Sequence, residues 1–369
     1  MQHYRRPCAT KTATNRRNSE MTNVALTVSA LLFALDACGN GTAPLSHVRG
    51  ASDFARVSGE TVSSDLTTMA RHGRRPGPSG KSRLAGVRKG SNLLFVTDYP
   101  SNAVMVYNYP PQGSEYLPAY TLYNINGPQG ACSDNTGKNV FIVSSKSSQI
   151  LEFRYGAKKP RLVISDANQV PVGCAVDVHG NLAVTNIRSL SNGNGSISVY
   201  TAPLSPSSVP TIYSDPTMYR FYFLTYDPQG NIFADGFTTQ KFFGLTKLTG
   251  DGTFTDITTS NTILFPGGVS YDQERNYVTV GDQLASKVYG YSVSGAHAKR
   301  KQTTKLRRGF DVVQYYLKSG SRGIIAPDAN SYPPATYSYR YPRGGLPIPS
   351  KTLVGGPLVM PVGAAVANP

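Results

Sequence analysis

One pattern of strand-forming residues recurs from about residue 91 to the C-terminus, at intervals of 43 to 50 residues. Each full copy reads Pro-x-Gly-x-x-x-Asp, followed by a turn and a second apolar strand. The Asp of this pattern falls at Asp134, Asp177, Asp227 and Asp272, with spacings of 43, 50 and 45 residues. Several short strands in a repeating unit of this length are typical of the blades of a β-propeller.

Two copies depart from the pattern. Before Asp227, Phe221 and Phe223 stand in place of Pro and Gly, so we expect this unit to be a divergent blade. A degraded unit begins near Asp311 and includes the strand-like segments 323–326 and 335–339.

The two ends of the repeat region complement each other. Residues 361–366 resemble an opening strand with nothing after it, whereas residues 92–98 and 103–107 resemble a second and a third strand without a first. Joining them makes one composite blade and pairs strand edges that would otherwise be open. The sequence therefore predicts an all-β fold, a six-bladed β-propeller closed by pairing of the C-terminal strand with the first blade.

Composition divides the chain into a signal segment (1–38), a flexible basic linker (39–88) and the propeller (89–369). The linker is rich in Ser, Gly, Thr and Arg, a composition that buries too little apolar surface to fold. The net charge is +16, and residues 1–90 hold 14 basic and 5 acidic residues. A second basic cluster at 299–308 is expected in an exposed loop between two blades; without neighbouring aromatic residues it does not predict a nucleic-acid partner.

The N-terminal segment has the order of an export signal. Basic residues precede a twelve-residue apolar run at 24–35, which is followed by Leu-Asp-Ala-Cys ending at Cys38. This ending resembles a bacterial lipobox, which implies lipidation of Cys38 and attachment to a membrane. We expect a periplasmic or outer-membrane lipoprotein, with display at the cell surface as a further option. Asp36 departs from the usual small residue, so simple secretion and a different start codon stay open.

Two cysteines lie in the predicted inner strands. Cys132 precedes its marker Asp by two residues and Cys174 by three. Their side chains should therefore point to opposite faces of their strands. This favours two small buried thiols over a disulfide.

The third unit carries the closest resemblance to a known family. Its strand Gly-Asn-Leu-Ala-Val-Thr-Asn at 180–186 follows an Asp-x-x-Gly turn. This resembles the NHL-type, gluconolactonase-like and TolB-like six-bladed propellers, and the resemblance covers residues 91–369. It implies that the loops before the first strand and after the second strand of each blade open on one face around a central channel, where ligands or metals bind. Carried onto this chain, that face holds the candidate ligand-binding residues Asp98, Tyr99, Ser145, Asn186, Arg188, Tyr222, Asp235, Phe237, Asp282 and Asp328.

The leading hypothesis is a monomeric, exported propeller that binds a ligand or a protein partner on this face, without catalysis or cofactor. A metal-dependent lactonase-like hydrolase is one alternative, since Asp98, Asn186, Asp235 and Asp282 offer oxygen ligands that suit calcium or magnesium. Their positions shift by one residue between copies, so no metal ligand or catalytic residue is assigned. Asp and Asn at such positions also cap loops by binding backbone N–H groups. A structural envelope protein is the second alternative.

Overall fold

The structure is a computed structural model that describes residues 84–111, 117–309, 311–317 and 322–369. These residues form six sheets of four or five strands, each of them one blade of a ring. Successive inner strands contact one another around the ring. The predicted all-β, six-bladed propeller is confirmed.

The strands of each blade are given from the channel outward. Blade 1 holds β25 (Pro361–Ala367), β1 (Asn92–Asp98), β2 (Ala103–Tyr109) and β3 (Tyr120–Tyr123); blade 2 holds β4 (Pro128–Ser133), β5 (Asn139–Ser144), β6 (Gln149–Arg154) and β7 (Leu162–Ser165); blade 3 holds β8 (Gln169–Val176), β9 (Leu182–Ser189), β10 (Ser196–Tyr200) and β11 (Thr211–Tyr213). Blade 4 holds β12 (Met218–Tyr226), β13 (Ile232–Thr238), β14 (Phe243–Leu248) and β15 (Phe254–Asp256); blade 5 holds β17 (Pro266–Asp272), β18 (Tyr277–Asp282), β19 (Lys287–Ser294), β20 (His297–Lys305) and the short β16 (Thr258–Thr259); blade 6 holds β21 (Tyr316–Leu317), β22 (Gly323–Asp328), β23 (Ala335–Arg340) and β24 (Leu353–Val354). Short 3₁₀ helices span Ser145–Ser147 and Pro349–Lys351.

The ring closes through its C-terminal strand, as predicted. β25 is the inner strand of blade 1 and pairs antiparallel with β1, with Val96 opposite Ala364 and Leu94 opposite Val366. Both strands are buried along nearly their whole length. The last strand of the chain therefore holds the first blade in place.

The Pro-x-Gly pattern marks a bulge in the inner strand. The pairing of β8 with β9 shifts register around Pro171 and Gly173, and the inner strands of blades 1, 2, 4 and 5 shift at the corresponding place. A Cβ at Gly173 would lie 2.7 Å from the carbonyl oxygen of Tyr222 in the next inner strand. Glycine is needed here because the bulge brings neighbouring inner strands too close for a side chain.

The hydrophobic core lies between blades rather than within them. Ile142 and Phe153 of blade 2 cluster with Phe95 of blade 1, whereas Val143 of blade 2 clusters with Val184 of blade 3. Each sheet is therefore covered on both faces, by the preceding blade and by the following one.

The packing between blades also explains why the prediction about the cysteines was wrong. Cys132 and Cys174 form a disulfide between the inner strands of blades 2 and 3, β4 and β8. Their side chains do point to opposite faces of equivalent strands. In a ring, however, each sheet packs one face on the preceding blade and the other face on the following blade. Cys132 lies on the face of blade 2 that packs on blade 3, and Cys174 lies on the face of blade 3 that packs on blade 2, so the two side chains meet.

The basic cluster at 299–308 also differs from the expected loop. Residues 297–305 form β20, which pairs with β19 as the long outer strand of blade 5. Lys is somewhat depleted in strands. The buried residues Ala298, Thr304 and Leu306 between the charged ones are what hold the segment against the sheet.

The described part of the chain begins inside the predicted linker. Ala85 donates its N–H to the carbonyl of Pro118 (3.1 Å), and the side chain of Asn108 donates to the carbonyl of Gly86 (2.9 Å). The last residues before the ring therefore bind to blade 1. The predicted signal segment, Cys38 and the linker as far as residue 83 lie outside the described residues. Among the described residues, no helix has the length and apolar character needed to cross a membrane.

Candidate functional site in the central channel

The central channel has two ends that differ in the loops around them. At the loop end, the connection into each inner strand lies beside the connection that follows the second strand; in blade 2, Ser145 donates its N–H to Gly127 O at 3.0 Å. At the turn end lie the short turns that join the inner strand to the second strand. The candidate ligand-binding residues predicted from the sequence belong to the loop end.

The turns at the opposite end are built alike in blades 2, 3 and 4. The Asp177 carboxylate accepts the N–H groups of His179 and Asn181, both at 2.8 Å, and a bond from the Asn181 side chain at 2.7 Å. Asp134 and Asp227 hold their turns in the same way. These bonds explain why Asp recurs with a regular spacing in the sequence.

A cavity of about 820 Å³ occupies the turn end of the channel. Residues of all six inner strands or of the segments leading into them line it, and exposed turn residues such as Asn135 and Pro228 form its rim. This volume lies in the range of small-molecule binding sites. This cavity thus lies at the end of the channel opposite the predicted face.

The lining of this cavity is acidic and rich in tyrosine. Asp134, Asp177 and Asp227 contribute carboxylates at the rim, and no Lys, Arg or His is among the described residues that line it. Four tyrosines contribute to the wall: Tyr226, Tyr271, Tyr315 and Tyr316. The cavity is suited to a neutral polar or cationic molecule and unfavourable for an anion, because an anion would meet carboxylates without a compensating cation.

Gln314 narrows the channel from the side of blade 6. Its carboxamide accepts the N–H of Ala131 and donates to the carbonyl of the same residue, both at 3.1 Å. Ala131 belongs to blade 2, so the side chain crosses in front of the inner strand of blade 1. Gly363 makes this crossing possible, since a Cβ there would lie 2.7 Å from the Gln314 Oε1.

Three predicted site residues bind the backbone of their own blade. Asp98 accepts N–H groups from Val359 at 2.6 Å and Met360 at 3.1 Å, just before β25. Asp282 accepts the N–H of Leu264 at 3.0 Å, and Asp328 that of Asp311 at 3.1 Å, in the corresponding loops of blades 5 and 6. Each carboxylate holds the loop that leads into the inner strand of its blade. This is the loop-capping role that the sequence predicts as an alternative to ligand binding.

The structure brings three further predicted residues together at the loop end of blade 4. The side chain of Asp235 is fully buried and accepts the N–H of Phe223 at 3.0 Å, and burial raises its pKa well above the usual range. Tyr222 and Phe237 pack edge to face at 5.6 Å, and both pack on Phe265, which the sequence did not single out. Blade 4, which has Phe223 in place of the pattern's glycine, thus carries a cluster of aromatic rings beside its bulge.

The remaining predicted residues lie apart from this cluster. Asn186 donates to Ser196 and Ser198, and the latter donates to Asp166, within blade 3. Arg188 lies half-buried near the end of β9. Ser145 donates to the carbonyl of Pro171 at 2.6 Å, and the Tyr99 ring lies 4.6 Å from the Lys146 ammonium.

The lactonase-like alternative needs several oxygen ligands directed at one point. Each of the four candidates instead binds a group of its own blade: Asp98, Asn186, Asp235 and Asp282. Within the residues that the structure describes, no three His, Cys, Asp or Glu side chains form a group that could hold a metal ion. These four side chains are thus engaged within their own blades.

Comparisons with known proteins agree on the fold. No protein-family model and no curated protein matches the chain. Among solved structures, the nidogen/laminin complex contains a chain with 13% identity and a TM-score of 0.56, covering 75% of this chain and 98% of that one. A Bacteroides caccae protein of unknown function (10% identity, TM-score 0.56, 75% and 99% covered) and a functionally unknown Desulfotomaculum acetoxidans protein (9%, 0.52, 76% and 100%) are also similar. At these identities the likeness shows the β-propeller fold alone.

Proposed function

We propose that this protein is an exported, lipid-anchored propeller of the NHL type that binds a small ligand without catalysing a reaction. The observation that carries the proposal is the cavity of about 820 Å³ on the ring axis, bounded by all six blades. Such a site is built into a rigid scaffold, and rigid sites lose little entropy when they bind. The ligand site therefore moves from the predicted loop end to the turn end.

The chemistry of the lining narrows the ligand to a neutral polar or cationic small molecule. Three rim carboxylates and several tyrosine rings favour groups that donate hydrogen bonds or carry positive charge. These carboxylates hold their own turns, as Asp98, Asp282 and Asp328 hold their loops, and they differ in that all three lie around one cavity.

The disulfide between Cys132 and Cys174 supports export. Disulfides persist in oxidising compartments and are rare in the reducing cytosol of most organisms. Together with the apolar run and the lipobox-like Leu-Asp-Ala-Cys, it supports a periplasmic or outer-membrane location with an anchor at Cys38. In a bacterial host, Cys38→Ala should move the protein from the detergent fraction to the soluble fraction or leave the precursor uncut; unchanged detergent partitioning would remove the anchor from the proposal.

A thermal-shift screen of polar and cationic metabolites tests ligand binding. Ser270 lines the cavity and is half-buried, so Ser270→Trp should fill part of it. Ser207→Trp, at an exposed position on blade 3 that does not line it, is the control. Compounds that stabilise the wild type and the control, but not Ser270→Trp, support the cavity as the site. Compounds that act equally on all three proteins, or a complete set without effect, contradict the proposal.

A further inference from the structure

The outer strand of blade 5 carries an unusual concentration of positive charge. Six basic residues lie within ten positions on or directly after β20, and all six are exposed: Lys299, Arg300, Lys301, Lys305, Arg307 and Arg308. None of them forms an ion pair with a described residue; the Arg300 guanidinium lies 5.8 Å from the buried ring of Tyr289. We call these six residues the basic strip.

The surroundings of the basic strip do not neutralise it. Residues 257–264, 287–308 and 335–354 include the segments that bond to the basic strip, and they contain no Asp or Glu. The first acidic residue before them is the exposed Asp256, which accepts a hydrogen bond from Thr217. The loop of blade 6 that bonds to the end of the strip, through Gly345 N–H and Lys305 O at 2.8 Å, adds a further exposed cation, Arg343. Over roughly 25 Å of strand, the ring therefore presents uncompensated positive charge to solvent.

Protection of a sheet edge is the simplest alternative reason for lysines on an outer strand. The other five blades do not decide the point, whereas the contacts of β20 itself do. Their outer strands β3, β7, β11, β15 and β24 contain no Lys or Arg, but they are only two to four residues long, and short edges are protected by their length. Moreover, the edge of β20 is partly covered already, by β16 at one end and by Gly345 at the other. Edge protection in this ring does not require the basic strip.

Three features of the strip indicate the kind of partner. It lies on the convex outer wall of the ring, so an anionic partner must meet it from outside. The nearby rings of Tyr289 and Tyr291 are buried, so they offer no stacking platform of the kind that single-stranded nucleic acids use. Leu346, next to Gly345, is 56% exposed and places an apolar side chain beside the charges. Cations beside an exposed apolar residue suit the surface of an anionic bilayer.

We infer that the basic strip docks the side of the propeller on a membrane rich in anionic lipids. This contact does not depend on a ligand in the cavity. The docked ring would lie with its axis along the membrane, because a row of charges on its outer wall touches a plane sideways, and this leaves the turn end open to solvent.

Vesicle sedimentation tests the inference on a chain of residues 84–369. All strand pairs of the six sheets lie within these residues, and the ring closes through β25 and β1, so this part can fold without the N-terminal segments. We expect binding to vesicles of phosphatidylglycerol and phosphatidylcholine (1:1), weaker binding at high salt, and none to pure phosphatidylcholine. Replacing Lys299, Lys301, Lys305 and Arg307 with Gln should lower the partition coefficient on the order of a hundredfold, since each cation near such a surface contributes several-fold.

The matched control carries the same change in net charge on the other side of the ring. Lys138, Arg154, Lys158 and Lys159 are exposed residues of blade 2, and their replacement with Gln should leave binding within about threefold. Melting temperatures of the variants check that the substitutions leave the fold intact, and the double variant Lys301→Gln, Lys305→Gln should lose about tenfold. Equal losses in the two fourfold variants, or unchanged binding in both, would overturn the inference. Strip-dependent binding to a single-stranded oligonucleotide without binding to vesicles would overturn the choice of partner.

Discussion

Reduction of the disulfide between Cys132 and Cys174 should lower the stability of the ring substantially. The bond joins the inner strands of two neighbouring blades across a sequence separation of 42 residues. In the loop-closure model, a cross-link over a loop of this length removes about 13 cal/mol/K of entropy from the unfolded chain, or roughly 4 kcal/mol at 25 °C. For a ring of this size, that difference corresponds to a melting temperature roughly 8 °C lower.

Differential scanning calorimetry of three samples separates the cross-link from the side chains that form it. The oxidised wild type should melt highest, and the wild type in reducing agent should melt roughly 8 °C lower. The double variant Cys132→Ala, Cys174→Ala should lie close to the reduced wild type, because both lack the cross-link and differ only by two small side chains. A reduced wild type that melts within 1 °C of the oxidised protein, or two reactive thiols at these positions in the folded protein, would refute the reasoning.

Three further predictions concern closure, packing and pH. Deleting residues 358–369 removes β25 and leaves β1 with an open edge, so the deleted chain should aggregate or lose cooperative unfolding in size-exclusion and calorimetric measurements; unchanged melting would contradict closure. Gly173→Ala should cost about 1–3 kcal/mol in denaturant unfolding, whereas Gly250→Ala, where a Cβ meets nothing within 4 Å, should change little; equal effects would contradict the bulge argument. Burial and then the charge of Asp328 raise the pKa of Asp311 to about 7, above its unfolded value near 4. The neutral Asp311 side chain therefore stabilises the fold fully below about pH 4, and this contribution is lost as the pH rises to about 7. Asp311→Asn should gain stability relative to the wild type between pH 5 and pH 8. A difference in unfolding free energy that does not change with pH would show that the pKa of Asp311 is not raised.

The fold could be predicted because each blade repeats the same local solution. The marker Asp recurs since its carboxylate holds the turn after the inner strand, as Asp177 does. The Pro-x-Gly pattern recurs because the bulge brings the next inner strand close, which leaves no room for a Cβ at Gly173; blade 4, with Phe223 at this position, is the exception. Both requirements are local, so they appear in the sequence at regular spacing.

What the sequence could not supply was the relation between blades. The disulfide depends on which face of one sheet meets the next, and periodicity within a single strand carries no such information. The cavity likewise depends on six inner strands that are far apart in the chain, and the side chain of Gln314 reaches blade 2 across the strand of blade 1. By contrast, the end of β20 carried a strand signal, because Thr304 and Leu306 are buried and alternate with exposed Lys305 and Arg307.

At the loop end, an Asp side chain can either bind a ligand or hold a loop of its own blade. Asp98, Asp282 and Asp328 were candidates for ligand binding because the resemblance placed them around the channel. Each of them accepts backbone N–H groups of the loop into its own blade, which a carboxylate at this position can do in any propeller blade. Only the convergence of such groups, which depends on the whole ring, separates a ligand site from a capped loop.

A crystal structure of the full chain with a compound from the thermal-shift screen tests the central claim most directly. The account predicts that the compound lies on the ring axis at the turn end, within reach of the Asp177 and Asp227 carboxylates and of Tyr271. It also predicts that Ser270→Trp crystals soaked at the same concentration hold no compound there. A compound bound at the loop end, beside Tyr222 and Phe237, would contradict the claim that the cavity is the binding site.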